Sequence, residues 1–237
     1  MNDFWKDVIE PGYYDKIQRK GLSEKKGLQT NWHRSTFLKI SEYLKGDDLH
    51  LDYACGPGTF IGLYLDSKSI GTDISDAQIN YAQANYGDKA NFIKFDNFNF
   101  HNYKDNFDVI TVLGLLEFID DNKILELLDN FCDILKKDGK LVLTTPNYGG
   151  AMYLLEILLN KIGKLNYNNQ HINRFNAKKL KKLIKESNFD DIEIKRYLNF
   201  GIFTSFISFK FSDKLMRIID KVFFNFFGFL LIVELKK

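Results

Sequence analysis

The segment Leu51-Asp-Tyr-Ala-Cys-Gly-Pro-Gly-Thr-Phe60 constrains this chain more than any other stretch. Residues 49–53 alternate as a short strand does, Gly56-Pro57-Gly58 breaks the run, and residues 59–65 have helical character. A strand that turns sharply into a helix at glycines exposes bare backbone to a ligand, because no Cβ stands in the way. The same alternation runs along the chain. Further strands are predicted at 69–73, 91–95, 107–113, 140–145, 191–197 and 229–235. Helices are predicted at 13–19, 32–44, 77–86, 122–137, about 152–162, and 177–186 with Asn176 as its N-cap. The helix over 122–137 is expected to stop at Lys-Lys-Asp-Gly139. This order reads as an α/β fold with a doubly wound, mostly parallel sheet, in which ligands bind at the carboxyl ends of the strands.

Asp73 closes the second strand, 17 residues beyond Gly56, where a carboxylate can accept hydrogen bonds from both hydroxyls of an adenosine ribose. A dinucleotide site also wants a third glycine three residues after Gly58, but that position is Ile61. Asp52 lies just upstream of the glycines. A carboxylate there repels a pyrophosphate and suits a cofactor that carries an amino group and a sulfonium, which favours S-adenosylmethionine over NAD.

Composition narrows the partners. The 33 Lys and Arg nearly balance 31 Asp and Glu, so no nucleic-acid partner is expected. The two cysteines, Cys55 and Cys132, form no metal-ligand pattern, and no metal is expected; together with the acidic, interrupted start they suit a cytoplasmic protein. Ten of the 22 Phe fall in the last 38 residues. Lys210, Asp213, Lys214, Arg217, Asp220 and Lys221 break that segment below the ~18–20 apolar residues that span a bilayer. Leu215, Ile218, Ile219, Val222, Phe223 and Phe226 recur at helical spacing as one apolar face. Packing on the sheet, a homodimer contact, and peripheral membrane contact through 198–229 are all open for it.

Four segments in order, Leu51 to Phe60, Gly71-Thr-Asp-Ile-Ser75, Phe107-Asp-Val-Ile-Thr-Val-Leu-Gly-Leu-Leu-Glu-Phe-Ile119 and Lys137-Asp-Gly-Lys-Leu-Val-Leu-Thr-Thr-Pro-Asn147, resemble the motif series of class I S-adenosylmethionine-dependent methyltransferases. The resemblance implies a seven-stranded Rossmann-like sheet with an antiparallel last strand. It divides the chain into an N-terminal helical cap (1–46), a cofactor-binding core (47–197), and a Phe-rich insertion with the final strand (198–237). It further implies that Asp52 and the backbone of Ala54, Cys55 and Gly56 line the methionine part, and that Asp73 holds the ribose. Ile74 would pack on the adenine, Asp96 and Asn97 meet its amino group, and Leu113 offer main chain beside the sulfonium. Ala54 stands where the family usually has glycine, and Phe118 where Leu-Glu-His-Ile variants have histidine. Asn31-Trp-His-Arg34 is similar to the Asn-Pro-x-Arg element of quinone-biosynthesis O-methyltransferases, which implies that Arg34 grips the cofactor carboxylate. The aromatic stretch Tyr13-Tyr14-Asp15 has two readings, a helix that closes over the cofactor, as the resemblance implies, or plain packing.

His171 is the candidate general base, in a loop after the fifth strand; the other reading is a loop histidine bonded to a helix start. His33, Asn147 and Tyr148 are candidate acceptor contacts, whereas His50 and His101 read as surface residues. Cys55 lacks a neighbouring base and is not expected to act as a nucleophile. The resulting expectation is in-line methyl transfer to oxygen on a small-molecule or lipid-like acceptor. A cofactor-binding interaction subunit without catalysis and an NAD(P)-dependent oxidoreductase are the rival readings.

Overall fold

The computed structural model describes residues 4–153, 155–157, 170–223, 226 and 228–237. Its strands are β1 (Leu49–Tyr53), β2 (Lys68–Asp73), β3 (Ala90–Lys94), β4 (Phe107–Leu113), β5 (Leu135–Pro146), β6 (Asp191–Tyr197) and β7 (Leu230–Lys236). They form one sheet in the order β3-β2-β1-β4-β5-β7-β6. All pairings are parallel except those of β7, which runs antiparallel to both β5 and β6. The order reverses between β1 and β4, and in open sheets of this kind the crevice beyond such a point receives the ligand.

The helices are α1 (Tyr13–Glu24), α2 (Leu28–Ser41), α3 (Thr59–Tyr64), α4 (Asp76–Tyr86), α5 (Asp121–Ile134), α6 (Ala177–Ile184) and α7 (Phe209–Phe223). Ile124, Leu128 and Phe131 of α5 and Leu180 and Ile184 of α6 cover one sheet face, meeting Leu51, Ile110 and Leu141. Ile40, Phe60, Ile61 and Ile79 cover the other, against Val109, Val142 and Ile232. Neighbours on β4 thus point to opposite layers, as the strand period requires, and each such side chain contributes about 1.5–3 kcal/mol by leaving water. Ser75, Asp120 and Asn176 cap α4, α5 and α6 through their side chains, Asn176 as expected.

Three expectations change here. Helix α5 ends at Ile134 and not at 137, because Leu135 already pairs with Phe107. The Lys-Lys-Asp-Gly stretch is an irregularity within β5, with Asp138 at φ 65° and Lys136 bonded to Asp108 at 2.7 Å. His50 is fully buried, not at the surface, since its place on β1 puts it between β2 and β4. Of the apolar face left open on α7, Ile218 and Val222 are exposed and Leu215 and Ile219 half-buried, and the side chains the helix buries are Phe209, Ser212 and Met216. Its rotation is set by polar anchors. Arg34 forks onto Asp213 with two bonds of 3.1 Å, Ser212 bonds Asn31 and Ser205, and Asn199 holds Asp220. Of the predicted helix around 152–162, residues 152–153 and 155–157 are helical and 158–162 lie outside the described residues, as do 163–169 of the following loop.

The N-terminal helices close over this frame. Asp15 on α1 has no exposed surface and accepts hydrogen bonds from Arg19, Thr59, Tyr81 and Tyr86. A carboxylate with four donors docks α1 onto α3 and α4, the two helices that follow the glycine loop and β2.

Candidate active site

At the carboxyl end of β1 the backbone crosses into the left-handed region at Ala54 (φ 66°), Gly56 (φ 53°) and Gly58 (φ 74°). The turn holds because Ala54 N and Cys55 N both donate to Thr72 O, at 2.8 and 3.0 Å. Ala54 adopts a conformation that costs an L-residue roughly 1–2 kcal/mol, which is why glycine is the ordinary occupant. Gly58 is required for a second reason: a Cβ there would lie 2.8 Å from the Phe92 ring. Around Gly56 a Cβ would meet nothing within 4 Å, so the bare face of the loop opens outward.

Asp73 ties the loop to β2. One carboxylate oxygen accepts from Gly56 N at 2.9 Å and the other from Ser75 N at 2.8 Å. Each oxygen keeps a lone pair for a further donor. Burial raises its pKa against those bonds. Asp52 is 2% exposed, and burial, reinforced by the negative charge of Asp73 and opposed by Thr111, pushes its pKa up to about 7. Buried Asp52 and half-buried Asp73, with no cation bonded to either among the described residues, form a site suited to a positively charged ligand with donor hydroxyls.

Behind Asp52 runs a chain that sequence reasoning missed. Thr111 donates to Asp52 at 2.7 Å, His50 Nε2 lies 2.9 Å from the Thr111 hydroxyl, and His50 Nδ1 lies 3.0 Å from Ser69 Oγ. Burial holds His50 neutral, lowering it to about 3. With Thr111 donating onward, Nε2 carries the proton and Ser69 donates to Nδ1. Cys55 is buried, and burial and the two aspartates push its thiol well up, which disfavours a thiolate. Ile74 follows Asp73 directly, Asp96 and Asn97 sit exposed on the turn after β3, and half-buried Leu113 ends β4, all on the carboxyl side of the sheet.

A second cluster lies beyond β4 and β5. The Glu117 backbone carbonyl accepts from Ile172 N and Asn173 N at 2.8 and 3.0 Å, and Asn173 bonds Ile119 and Asp121, pinning the loop that carries His171. The His171 ring packs on Phe118 at 5.1 Å, and Phe118 on Trp5 at 4.7 Å. His171 Nδ1 lies 2.8 Å from Glu156 Oε1 and 3.0 Å from the Tyr148 hydroxyl, and Arg174 completes the group with two bonds to Glu156. Burial raises Glu156, but Arg174, His171 and Tyr148 outweigh it and hold the carboxyl below its usual range. Burial lowers His171, with Glu156 only partly opposing it. The group therefore stands as carboxylate and neutral imidazole near pH 7, with Nδ1–H donated to Glu156 and Nε2 the basic nitrogen. Glu117 is another buried carboxyl, pushed up to about 7 by burial and bonded by Thr145 at 3.1 Å.

The structure thus joins His171 with Tyr148 and Asp73 with Gly56. It places other expected residues elsewhere. Arg34 spends its fork on Asp213 and Asn31. Asn147 donates to Gly228 O at 2.7 Å and anchors the approach to β7. His33 sits between the rings of Tyr14 and Phe37, and desolvation lowers it to about 4. Glu156 and Arg174 went unnoticed because their only signal is spatial: 15 and 3 residues separate them from His171.

An open α/β sheet with this glycine loop and paired aspartates defines a nucleoside-cofactor enzyme. The chain belongs to the family described as methyltransferase domain, whose model matches residues 28–194. A tRNA (guanine-N(7)-)-methyltransferase from Clostridium botulinum is 28% identical over 123 residues, which are 50% of this chain and 51% of that protein. The chain spans about half the length of the curated relatives it matches. Among solved structures, a SAM-dependent methyltransferase from Archaeoglobus fulgidus shares the fold at TM-score 0.62 and 21% identity, covering 87% of this chain and 93% of that one. Magnesium protoporphyrin IX methyltransferase from Synechocystis, solved with bound SAH, does so at TM-score 0.61 and 12% identity, covering 99% and 97%.

Proposed function

We propose that this chain is an S-adenosylmethionine-dependent methyltransferase that acts on an oxygen of a small-molecule or lipid-like acceptor, with His171 as general base. The observation that carries the reading is the Glu156–His171–Tyr148 group, with the His171 ring tilted against Phe118. Phe118 fills the position of a histidine in similar enzymes, and a neutral imidazole from another loop lies against its ring. S-adenosylmethionine supplies an electrophilic methyl group on a sulfonium. A hydroxyl acceptor must lose its proton as the new bond to carbon forms, and Nε2 of His171 takes it. Glu156 positions the imidazole and Tyr148 borders the acceptor. Asp73 accepts from the ribose hydroxyls, Asp52 faces the positive charge, and Ala54 to Gly56 offer backbone; Ile74, Asp96, Asn97 and Leu113 complete the cofactor contacts.

The experiment is transfer of labelled methyl groups by the purified protein to separate pools of polar metabolites, extracted lipids and tRNA. Label in either of the first two supports the reading. Label confined to tRNA overturns it in favour of the chemistry of the curated relative.

Asp52 gives opposite pH trends for stability and for binding. Its folded pKa of about 7 exceeds the unfolded value, so the cofactor-free protein holds an extra proton between roughly pH 4 and 7. Stability of that form is expected to fall as pH rises through this window and to level off above it. Affinity for S-adenosylmethionine should rise over the same window, by up to about tenfold per pH unit, since the cation prefers the ionised carboxylate. Thermal melts and calorimetry from pH 5 to 8 measure both; Asp52→Asn should flatten the affinity profile and reduce the stability slope, the remainder belonging to Glu117, which burial also raises to about 7.

A further inference from the structure

The turn 200–207 and helix α7 expose five large apolar side chains in one neighbourhood: Phe206, Ile207, Phe211, Ile218 and Val222, each between 47% and 70% accessible. On α7 the last three follow i, i+7, i+11, a single row along the outer surface. Lys210, Lys214, Arg217 and Lys221 follow i, i+4, i+7, i+11 and form an exposed row beside it. The helix also carries two acids, but both are turned inward: Asp213 to Arg34, Asp220 to Asn199. The outer face is therefore apolar along one side, cationic along the other, and free of acidic side chains.

We infer that this face docks on an anionic phospholipid surface. An apolar row that sinks to the level of the headgroups, edged by cations that reach the phosphates along their aliphatic stems, is what such a surface takes. The sorting of charge argues for this occupant over the others. A nucleic acid would use the four cations but would leave the five apolar side chains against a polar strand. A second copy of the chain meeting through the same patch would bring its own cationic row to the interface. Ser212, Met216 and Phe209 already fix the inner face, so docking needs no rearrangement of the helix. The inference is independent of which acceptor is methylated.

The test is co-sedimentation of the full chain with vesicles of phosphatidylcholine alone and of equal parts phosphatidylcholine and phosphatidylglycerol, at 0.1 M salt. Binding to the mixed vesicles, at least tenfold weaker on phosphatidylcholine alone, is expected. The double variant I218E/V222E should lose at least tenfold in vesicle affinity, and K214E/K221E a similar factor. Both should keep the parent melting temperature within a few degrees and the parent affinity for S-adenosylhomocysteine, since all four side chains are exposed on the outer surface of α7 and none belongs to the cofactor or acceptor site. Equal binding to both vesicle types, no binding to either, or undiminished binding by the folded variants overturns the inference. Retention of tRNA that depends on the lysines and not on Ile218 and Val222 overturns it as well.

Discussion

Replacing Asp73 with alanine is expected to weaken binding of S-adenosylhomocysteine by about 10²–10⁴-fold, the loss of two charge-assisted hydrogen bonds at roughly 1.5–3 kcal/mol each. The carboxylate does two things at once. It organises the loop through Gly56 N and Ser75 N, and it keeps acceptor capacity for the ribose hydroxyls. Fold stability should change much less than affinity. Burial raises the pKa of Asp73, so the charge is held at a cost that alanine removes, and this offsets part of the lost loop bonds. Asp73→Asn, which retains one acceptor oxygen, should fall between parent and alanine. Calorimetric titration read beside a thermal melt distinguishes the two effects; an unchanged affinity in a folded Asp73→Ala protein would place the ribose elsewhere.

The second large effect is expected at His171. Its replacement by alanine should lower turnover by about 10²–10⁴-fold on whichever acceptor pool takes label, with affinity for S-adenosylhomocysteine within about twofold of the parent. Glu156→Gln should cost less, about tenfold, and should also move the acidic limb of the rate profile. The sign follows from the cluster: Glu156 raises His171, so without its charge the imidazole titrates at still lower pH and the limb shifts down. A structural role for Glu156 alone would lower the rate without moving that limb. A parent-like rate in His171→Ala would mean that alignment suffices and that the acceptor carries no proton to remove.

The elements easiest to read from sequence were those whose signal is local. The glycine loop, Asp73 at its strand end, the Asn176 cap and the alternation that defines the sheet all lie within a few residues of their causes. Other features depend on partners far along the chain. Periodicity marks Ile218 and Val222 as an apolar face, yet α7 is rotated by the Arg34–Asp213 fork and the Asn31–Ser205–Ser212 cluster, polar contacts that no hydropathy pattern encodes. His50 carries no flanking signal of burial, because its partners Ser69 and Thr111 come from neighbouring strands. The resemblance of Asn31-Trp-His-Arg34 points Arg34 at the cofactor, whereas its guanidinium forks onto Asp213, a residue of the insertion 179 positions away.

That fork has a consequence for how the chain assembles. Asn31 finds Ser205 and Ser212 across 174 and 181 residues, and Phe209 N closes on Lys25 O nearby. Helix α2 emerges early in synthesis, but its docking site is completed only when the segment after β6 has been made. Contacts of such sequence separation are slow to close, so folding should end with this clasp, after the parallel strands have paired. Until then the polar face of α2 that the finished fold buries, Thr30, Asn31 and Ser35, stays open to water.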